Sequence, residues 1–357
     1  MLNTCSGFLL LLALASKASM AVDADAAEPR APDPLFQDHD VVEIHITAPM
    51  STLVDERPDE DYLPATLSWV EPGGERMTVD IGIRTRGNFR RQKDTCRFPP
   101  LRVNFKKGDV KDTLFHKQDA LKLVTHCRDR SDRYEQNVLK EYLIYRMLNV
   151  LTDTSYRVRL LRVRYTDTED EDDEREAFGF FIEHAKRFGK RTGLEEFEVQ
   201  RTRYDRLDAA NAALTAIFHY MIGNTDYSPI AGPEEGECCH NSDLYKAADG
   251  HAYAVPYDFD MSGMVDAPYA VPNERFGLRR VTQRLYRGYC VHNAGLGGAA
   301  QVFRDKRDAL YALIDNEGSL TSKTAAQMRK YLDSFYDVID DRKKFSREII
   351  EECRGPD

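Results

Sequence analysis

A polar segment in the second half of this 357-residue chain holds the residue types that phosphoryl transfer requires. Residues 221–263 present Asp226, then Asn241, then Asp258 and Asp260 after an apolar stretch. In phosphoryl transfer one carboxylate orients the attacking hydroxyl, while an Asn and a second carboxylate hold magnesium. Hard oxygen ligands of this kind suit magnesium. The order of these side chains predicts a metal-dependent phosphate site.

Each of these residues also has a simpler interpretation. Asp226 follows Asn224 and Thr225, and Asn and Asp often form turns by bonding to their own backbone. Asp258 and Asp260 are also compatible with exposed charges in a turn. The occurrence of Asp226, Asn241 and Asp258 in the required order favours the phosphate site.

Predicted helices and strands must position these residues. Helical periodicity over 203–222 predicts a helix ending at Gly223, and an apolar strand leads into Asp258. The acidic run 167–174 is predicted to be a solvated hairpin loop, with calcium binding as the alternative. Further helices are predicted over 132–151 and much of 301–353, and strands over 40–54, 67–70, 77–86, 101–105, 120–125, 157–165 and 177–183.

This order of elements predicts an α+β protein with two lobes. The β-rich N-terminal lobe spans 40–183, the mainly helical C-terminal lobe spans 184–353, and the site lies between them. A hydrophobic fraction of 42% suits a globular core, and a net charge of −10 argues against nucleic acid as a partner. No segment of the mature chain is apolar enough to predict stable membrane insertion.

The N-terminus indicates export to the periplasm or the medium. Residues 1–21 contain a short apolar run followed by small residues, as in a signal peptide, and 22–39 has the composition of a linker. Removal of the signal leaves six cysteines, which predicts disulfides, with buried thiols as the alternative. Cys238 and Cys239 are adjacent and are expected to bond to different partners; zinc ligation with His240 is the minor alternative.

Several motifs resemble the CotH (spore-coat protein H) kinase-like family. The elements are Asn224-Thr225-Asp226, His240-Asn241 and the VPYDFD run at 255–260, and upstream the RTRGN run at 84–88 and residues 100–105. The resemblance covers roughly residues 75–290. It implies a two-lobed atypical kinase-like fold that transfers the γ-phosphoryl group of ATP to a protein, with Mg²⁺ or Mn²⁺.

The resemblance also implies roles for individual residues. Asp226 is the catalytic carboxylate, Asn241 and Asp258 are metal ligands, and Asp260 assists. The nucleotide contacts fall to residues of the N-terminal half: Lys122 on the phosphates, Glu141 or Glu135 as its partner and Glu183 in the segment that meets adenine. Arg86, with Arg84 and Arg90, is a further candidate for holding phosphate, and an exposed basic strand is the alternative.

One departure concerns the spacing of the catalytic loop. Fourteen residues separate Asp226 from Asn241, more than in kinase catalytic loops. A disulfide from Cys238 or Cys239 to Cys290 would return Asn241 to the site. Two other functions are compatible with the same residues: a binding or assembly protein without turnover, and nucleotidyl transfer.

Overall fold

The computed structural model describes residues 1, 30–170, 173–232 and 238–355. Ten strands and eight α-helices are assigned within these ranges, joined by short 3₁₀ turns. In the first half they are β1 (Val42–Ala48), α1 (Met50–Asp55), β2 (Leu63–Val70), β3 (Arg76–Thr85), β4 (Leu101–Phe105), β5 (Ala120–Val124), α2 (Asp132–Leu151), β6 (Val158–Asp167) and β7 (Glu174–Ile182).

The second half begins with α3 and a small sheet and ends in helices. Its elements are α3 (Ala185–Thr192), β8 (Glu195–Glu196), α4 (Ala209–Ile222), β9 (Ser242–Lys246), β10 (Ala252–Pro256), α5 (Leu296–Asp305), α6 (Arg307–Asp315), α7 (Ser322–Ile339) and α8 (Arg342–Phe345). Among the described residues, no helix is both long enough and apolar enough to cross a membrane.

The first seven strands close into a barrel in the order β1-β2-β3-β4-β5-β7-β6. Neighbouring strands pair antiparallel, except that β1 pairs parallel to β6 from Val42 opposite Leu161 to Ala48 opposite Asp167. This long-range pairing closes the barrel. Alternating side chains from the strands fill its interior, including the buried Trp69 and Tyr165.

The expected two-lobed kinase-like fold is therefore wrong. The β-rich part is a closed mixed barrel, and the part after residue 184 contains a three-stranded sheet in the order β10-β9-β8. Period-two alternation predicts that strands form, but it does not specify which edges meet, and closure depends on pairing between strands far apart in the chain.

Strands β6 and β7 join the barrel to the helices because their side chains alternate between two cores. Leu161, Val163 and Phe181 belong to the barrel cluster. Leu160 and Phe180 point the other way, into a cluster that also contains α2, α4 and the C-terminal helices. This second cluster includes Ile222, which precedes the Asp226 loop, and Phe259, which lies between Asp258 and Asp260.

The predicted export signal, 1–21, lies in the chain outside the described residues, apart from Met1, as does the linker up to residue 29. From residue 30 onward the chain packs on the barrel. Leu35 and Phe36 are buried there, and Asp33 accepts hydrogen bonds from the guanidinium group of Arg187.

The six cysteines form three disulfides: Cys96–Cys127, Cys238–Cys239 and Cys290–Cys353. Disulfides are confirmed, and they are compatible with folding in an oxidising compartment. The expected connectivity is wrong, because Cys238 and Cys239 bond to each other and Cys290 bonds to Cys353. Spacing alone does not determine how six cysteines pair.

Part of the acidic run 167–174 has a structural role at the start of α1. The Asp167 carboxylate accepts hydrogen bonds from the Met50 and Ser51 amides, each at 2.9 Å, and from the Ser51 hydroxyl at 2.6 Å. Glu169 accepts from Thr52. These contacts satisfy N–H groups at a helix N-terminus that would otherwise lack partners.

Candidate functional site

Helix α4 ends at Ile222, and three residues separate it from Asp226. The Asp208 side chain caps its N-terminus by accepting from the Asn211 amide at 2.8 Å. Gly223 ends the helix with a φ of 66°, a left-handed conformation that glycine adopts without steric cost. The predicted end at Gly223 is confirmed. In the following turn the Asp226 amide donates to Asn224 Oδ1 at 2.9 Å, which fixes the backbone of Asp226.

Arg287 holds this loop from the other side. Its Nη1 donates to the Thr225 carbonyl at 2.6 Å and to the Tyr227 carbonyl at 2.7 Å. Tyr227 stacks on the buried His219 with ring centroids 3.5 Å apart. Asp226 thus lies between two backbone carbonyls bound by one buried guanidinium.

The side chains of Asp226, His240 and Asn241 are in direct contact. His240 Nε2 donates to Asp226 Oδ1 at 2.7 Å, and Asn241 Nδ2 donates to Asp226 Oδ2 at 3.0 Å and to the Asp226 carbonyl at 2.8 Å. The hydrogen bond to Asp226 raises the pKa of His240, against the opposing effect of burial. Two predicted residues therefore meet despite their long separation in sequence.

Asp258 follows β10 in a left-handed backbone conformation with a φ of 59°. Its amide donates to the hydroxyl of the buried Tyr145 at 2.8 Å. Its carboxylate is half-buried and accepts no hydrogen bond from any residue within the described ranges. Asp258 influences the ionisation of both Arg86 and His240, so its carboxylate lies within electrostatic range of the cations on either side.

Behind Asp258 lies a buried ionic network centred on Arg90. Arg90 Nη1 lies 3.4 Å from Glu141 Oε2 and 3.8 Å from Asp260 Oδ2, while Nη2 donates to the Thr125 carbonyl at 2.8 Å. The Tyr269 hydroxyl donates to Asp260 Oδ2 at 3.0 Å. Burial raises the pKa of Glu141 and of Asp260, and the negative charge of Asp258 adds to both shifts.

A cleft of about 260 Å³ adjoins this group. Lys122 on β5 forms part of its wall, with its ammonium 4.7 Å from the centre of the Tyr257 ring. Tyr257 directly precedes Asp258 and so connects the cleft to the acidic loop. The remaining wall is formed by Arg102, Ala120, Tyr156, Ile182, Glu183, His184, Ala185, Glu196 and Asp243.

Positively and negatively charged side chains both influence the pKa of Lys122. Burial lowers its pKa, Arg86 and Arg102 add to the effect, and Asp243 and Asp258 oppose it. Burial also lowers the pKa of Arg86, with Asp258 opposing. Two partly desolvated cations next to Asp258 form an environment that favours a bound anion.

The structure brings Asn241 into contact with Asp226, but it pairs Lys122 with neither Glu141 nor Glu135. Glu141 pairs with Arg90 rather than with Lys122, and Glu135 lies in the field of His126 and Arg162. Glu183 lines the cleft, but its carboxylate is engaged by Arg191, with both contacts at 2.9 Å.

No cluster of three or more His, Cys, Asp or Glu side chains that could hold a metal occurs in the described part of the chain. Magnesium, however, is commonly held by one or two carboxylates together with substrate phosphates. The Asp258 carboxylate and the Asn241 amide oxygen are oxygen donors of the kind that magnesium binds. Asp260 is less suited, because Tyr269 and Arg90 already occupy its carboxylate.

Two neighbours of the predicted site residues were not predicted from the sequence: His240 as the partner of Asp226, and Asp243 on the cleft wall. His240 directly precedes Asn241, and this position is the sequence signal that indicates it. Asp243 lies in β9, whereas Asn241 precedes the strand with a left-handed φ of 49°, so strand alternation does not relate their side chains.

Comparison of the chain with models of protein families gives no match, and comparison with curated proteins gives none.

Proposed function

We propose that this protein is a metal-dependent phosphotransferase that binds ATP in the Lys122 cleft and transfers its γ-phosphoryl group to a protein hydroxyl. The observation that carries the proposal is the contact of Asn241 with Asp226 beside a cleft with Lys122 in its wall. The nearby Asp258 carboxylate accepts no hydrogen bond from the described residues. The resemblance of these motifs to the CotH kinase-like family supports the same function.

The cleft wall holds two cations, Lys122 and Arg102, beside three carboxylates, those of Glu183, Glu196 and Asp243, so Lys122 and Arg102 are its sites for phosphate. The Tyr257 ring also lines the cleft and supplies an aromatic face for the base. Lys122 and Arg86 provide positive charge towards Asp258, where the phosphates would lie. Phosphate groups are bound in proteins by cations of this kind together with a metal.

The proposed step requires little covalent chemistry from the protein. The acceptor oxygen forms a bond to the γ-phosphorus while the bond from that phosphorus to the bridging oxygen of ADP breaks. Asp226 orients the acceptor hydroxyl and receives its proton. Asn241 and Asp258 would hold Mg²⁺ or Mn²⁺, which when bound neutralises negative charge on the phosphate oxygens. Lys122 binds the phosphates during transfer.

Nucleotide binding is tested by thermal unfolding of the protein with ATP and Mn²⁺, with each alone, and with neither. A ligand that binds only the folded state raises the unfolding temperature. Wild-type protein should show a rise in unfolding temperature only when ATP and Mn²⁺ are both present. Asp258→Asn and Lys122→Met should each lose most of this rise, while Asp337→Asn on α7 should behave as wild type. No shift with any ligand would contradict the proposal.

One observation favours a second candidate, a nucleotide-binding protein without turnover. Both carboxylate oxygens of Asp226 already accept hydrogen bonds, from His240 and Asn241. If these bonds persist when the nucleotide is bound, Asp226 is not available to an acceptor. This candidate predicts the thermal shift but no transfer of phosphate, whereas the proposed function predicts both.

A further inference from the structure

The loop after the Asp258 turn is a basic stretch in an otherwise acidic chain. Residues 271–287 contain five arginines and one glutamate, while the whole chain carries a net charge of −10. Two of the arginines, Arg284 and Arg287, are structural, because their guanidinium groups donate to the backbone carbonyls of Met221, Thr225 and Tyr227.

The other three arginines, Arg275, Arg279 and Arg280, are exposed. Their guanidinium groups make no hydrogen bond or ion pair with any residue that the structure describes. A protein with excess negative charge had acidic side chains available to neutralise them. Because they have no partner among the described residues, their three positive charges are available to an external partner.

Both halves of the loop are anchored beside Asp226 and Asp258. Phe276 lies next to Arg275 and packs 4.4 Å from the Arg287 guanidinium, which holds the backbone on either side of Asp226. Arg275 is thus linked to the Asp226 loop through its neighbour Phe276 and through Arg287.

The second half is fixed against Gly263, which follows the Asp258 turn. A Cβ atom at Gly263 would lie 2.7 Å from the Val281 carbonyl and 2.9 Å from Thr282 Cα, so the backbones touch. The Arg279 and Arg280 amides donate to Gln283 Oε1 at 2.6 and 3.0 Å. These contacts join the backbone that carries the arginine pair to Gly263, five residues after Asp258.

We infer that Arg275, Arg279 and Arg280 form a docking surface for the acceptor, and that the acceptor is an acidic protein segment with a hydroxyl residue among Asp and Glu side chains. Arginine binds carboxylates through paired N–H donors, which suits this partner. The inference rests on the proposed function for the transfer step, but binding of the acidic segment can be measured without turnover.

The test uses two fluorescent peptides, one with a serine followed by glutamates and one with glutamines in their place. Fluorescence anisotropy should show that the full chain binds the acidic peptide more tightly, and that added salt weakens this binding. Arg275→Gln/Arg279→Gln/Arg280→Gln should weaken binding by about tenfold, as expected for the loss of three exposed charge pairs. Arg275→Lys/Arg279→Lys/Arg280→Lys should retain most of the binding, because the three positive charges remain.

A matched control removes three exposed cations elsewhere: Lys106→Gln/Arg164→Gln/Lys323→Gln. It should bind the acidic peptide as the wild type does. Equal binding of the two peptides by wild-type protein, or equal loss in the control, would overturn the inference. Preference for the acidic peptide without phosphate transfer to any acceptor would uphold the docking surface and contradict the proposed function instead.

Discussion

The side-chain amide of Asn241 donates to the carboxylate of Asp226 over 3.0 Å, although fourteen residues separate them. Asn241 is brought back to Asp226 because Ser228 and His240, which neighbour the two loop ends, exchange backbone hydrogen bonds at 2.9 and 3.0 Å. Strand β9 begins immediately after Asn241. A disulfide to Cys290 is not needed for this. The pair forms the polar centre of the proposed site.

Asp226→Asn should separate binding from transfer. The amide cannot take a proton from an acceptor hydroxyl, and loss of a general base typically slows a reaction by about 10²–10⁴-fold. Nucleotide binding, measured by thermal shift, should remain close to wild type because Lys122 and Asp258 are unchanged. Transfer at the wild-type rate would show that Asp226 is not the base; Asp337→Asn serves as the control.

Arg90→Met should destabilise the protein strongly. It leaves Glu141 and Asp260 buried without their cation, and removing one member of a buried ion pair costs about 3–5 kcal/mol. Arg91→Met is the matched control, because Arg91 pairs with Asp59 where both side chains are 30% or more exposed. Exposed pairs contribute about 1 kcal/mol or less. Equal free energies of unfolding for the two variants would contradict this account.

Much of the secondary structure was predictable from periodicity. Helix α2 and strand β4 have the predicted bounds. The predicted strand 40–54, by contrast, ends at Ala48, because Pro49 interrupts it and α1 begins at Met50. That helix start depends on Asp167, more than a hundred residues away, and local patterns contain no information about such a partner.

The site was predictable to a similar degree. The types and order of Asp226, Asn241 and Asp258 indicated the chemistry, and the first two are in contact. The partner of Glu141 was not predictable, because Arg90 lies in an irregular loop whose path depends on the whole barrel. Closure of the barrel and pairing of the cysteines likewise depend on long-range contacts.

Asp167→Asn should lower the free energy of unfolding by about 1–3 kcal/mol at pH 7, because the carboxylate is a buried acceptor for three groups at the start of α1. Burial alone would raise its pKa, but the hydrogen bonds from Ser51, Glu169 and Met50 bring it below the ordinary value of 3.8. The contribution is therefore present above pH 3.8 and is lost as the pH falls through the lower folded-state value.

Chemical denaturation of wild type and Asp167→Asn at pH 7 and pH 3 tests this prediction. The difference between the two proteins should shrink at the lower pH. The exposed Asp80→Asn should have little effect at either pH. A difference that grows on acidification would mean that the Asp167 carboxylate does not stabilise α1 in the ionised form.

The disulfides should contribute unequally to stability. Cys96–Cys127 joins residues 31 apart, so its loss frees a substantial loop in the unfolded chain, and Cys96→Ala/Cys127→Ala should cost about 2–4 kcal/mol. Cys238–Cys239 joins adjacent residues and closes no such loop, so the corresponding double variant should change the free energy of unfolding little. Equal losses, measured by denaturation under oxidising conditions, would contradict the loop-entropy explanation.

The central claim, phosphoryl transfer at the Asp226–Asn241–Asp258 site, is tested most directly with isotopically labelled ATP. The protein is incubated with Mn²⁺ and either γ-labelled or α-labelled ATP, beside Asp258→Ala and the control Asp337→Asn. The account predicts label on protein from the γ-position only, absent with Asp258→Ala and retained in the control. Label from the α-position would indicate nucleotidyl transfer, and γ-transfer at the normal rate by Asp258→Ala would contradict the assigned site.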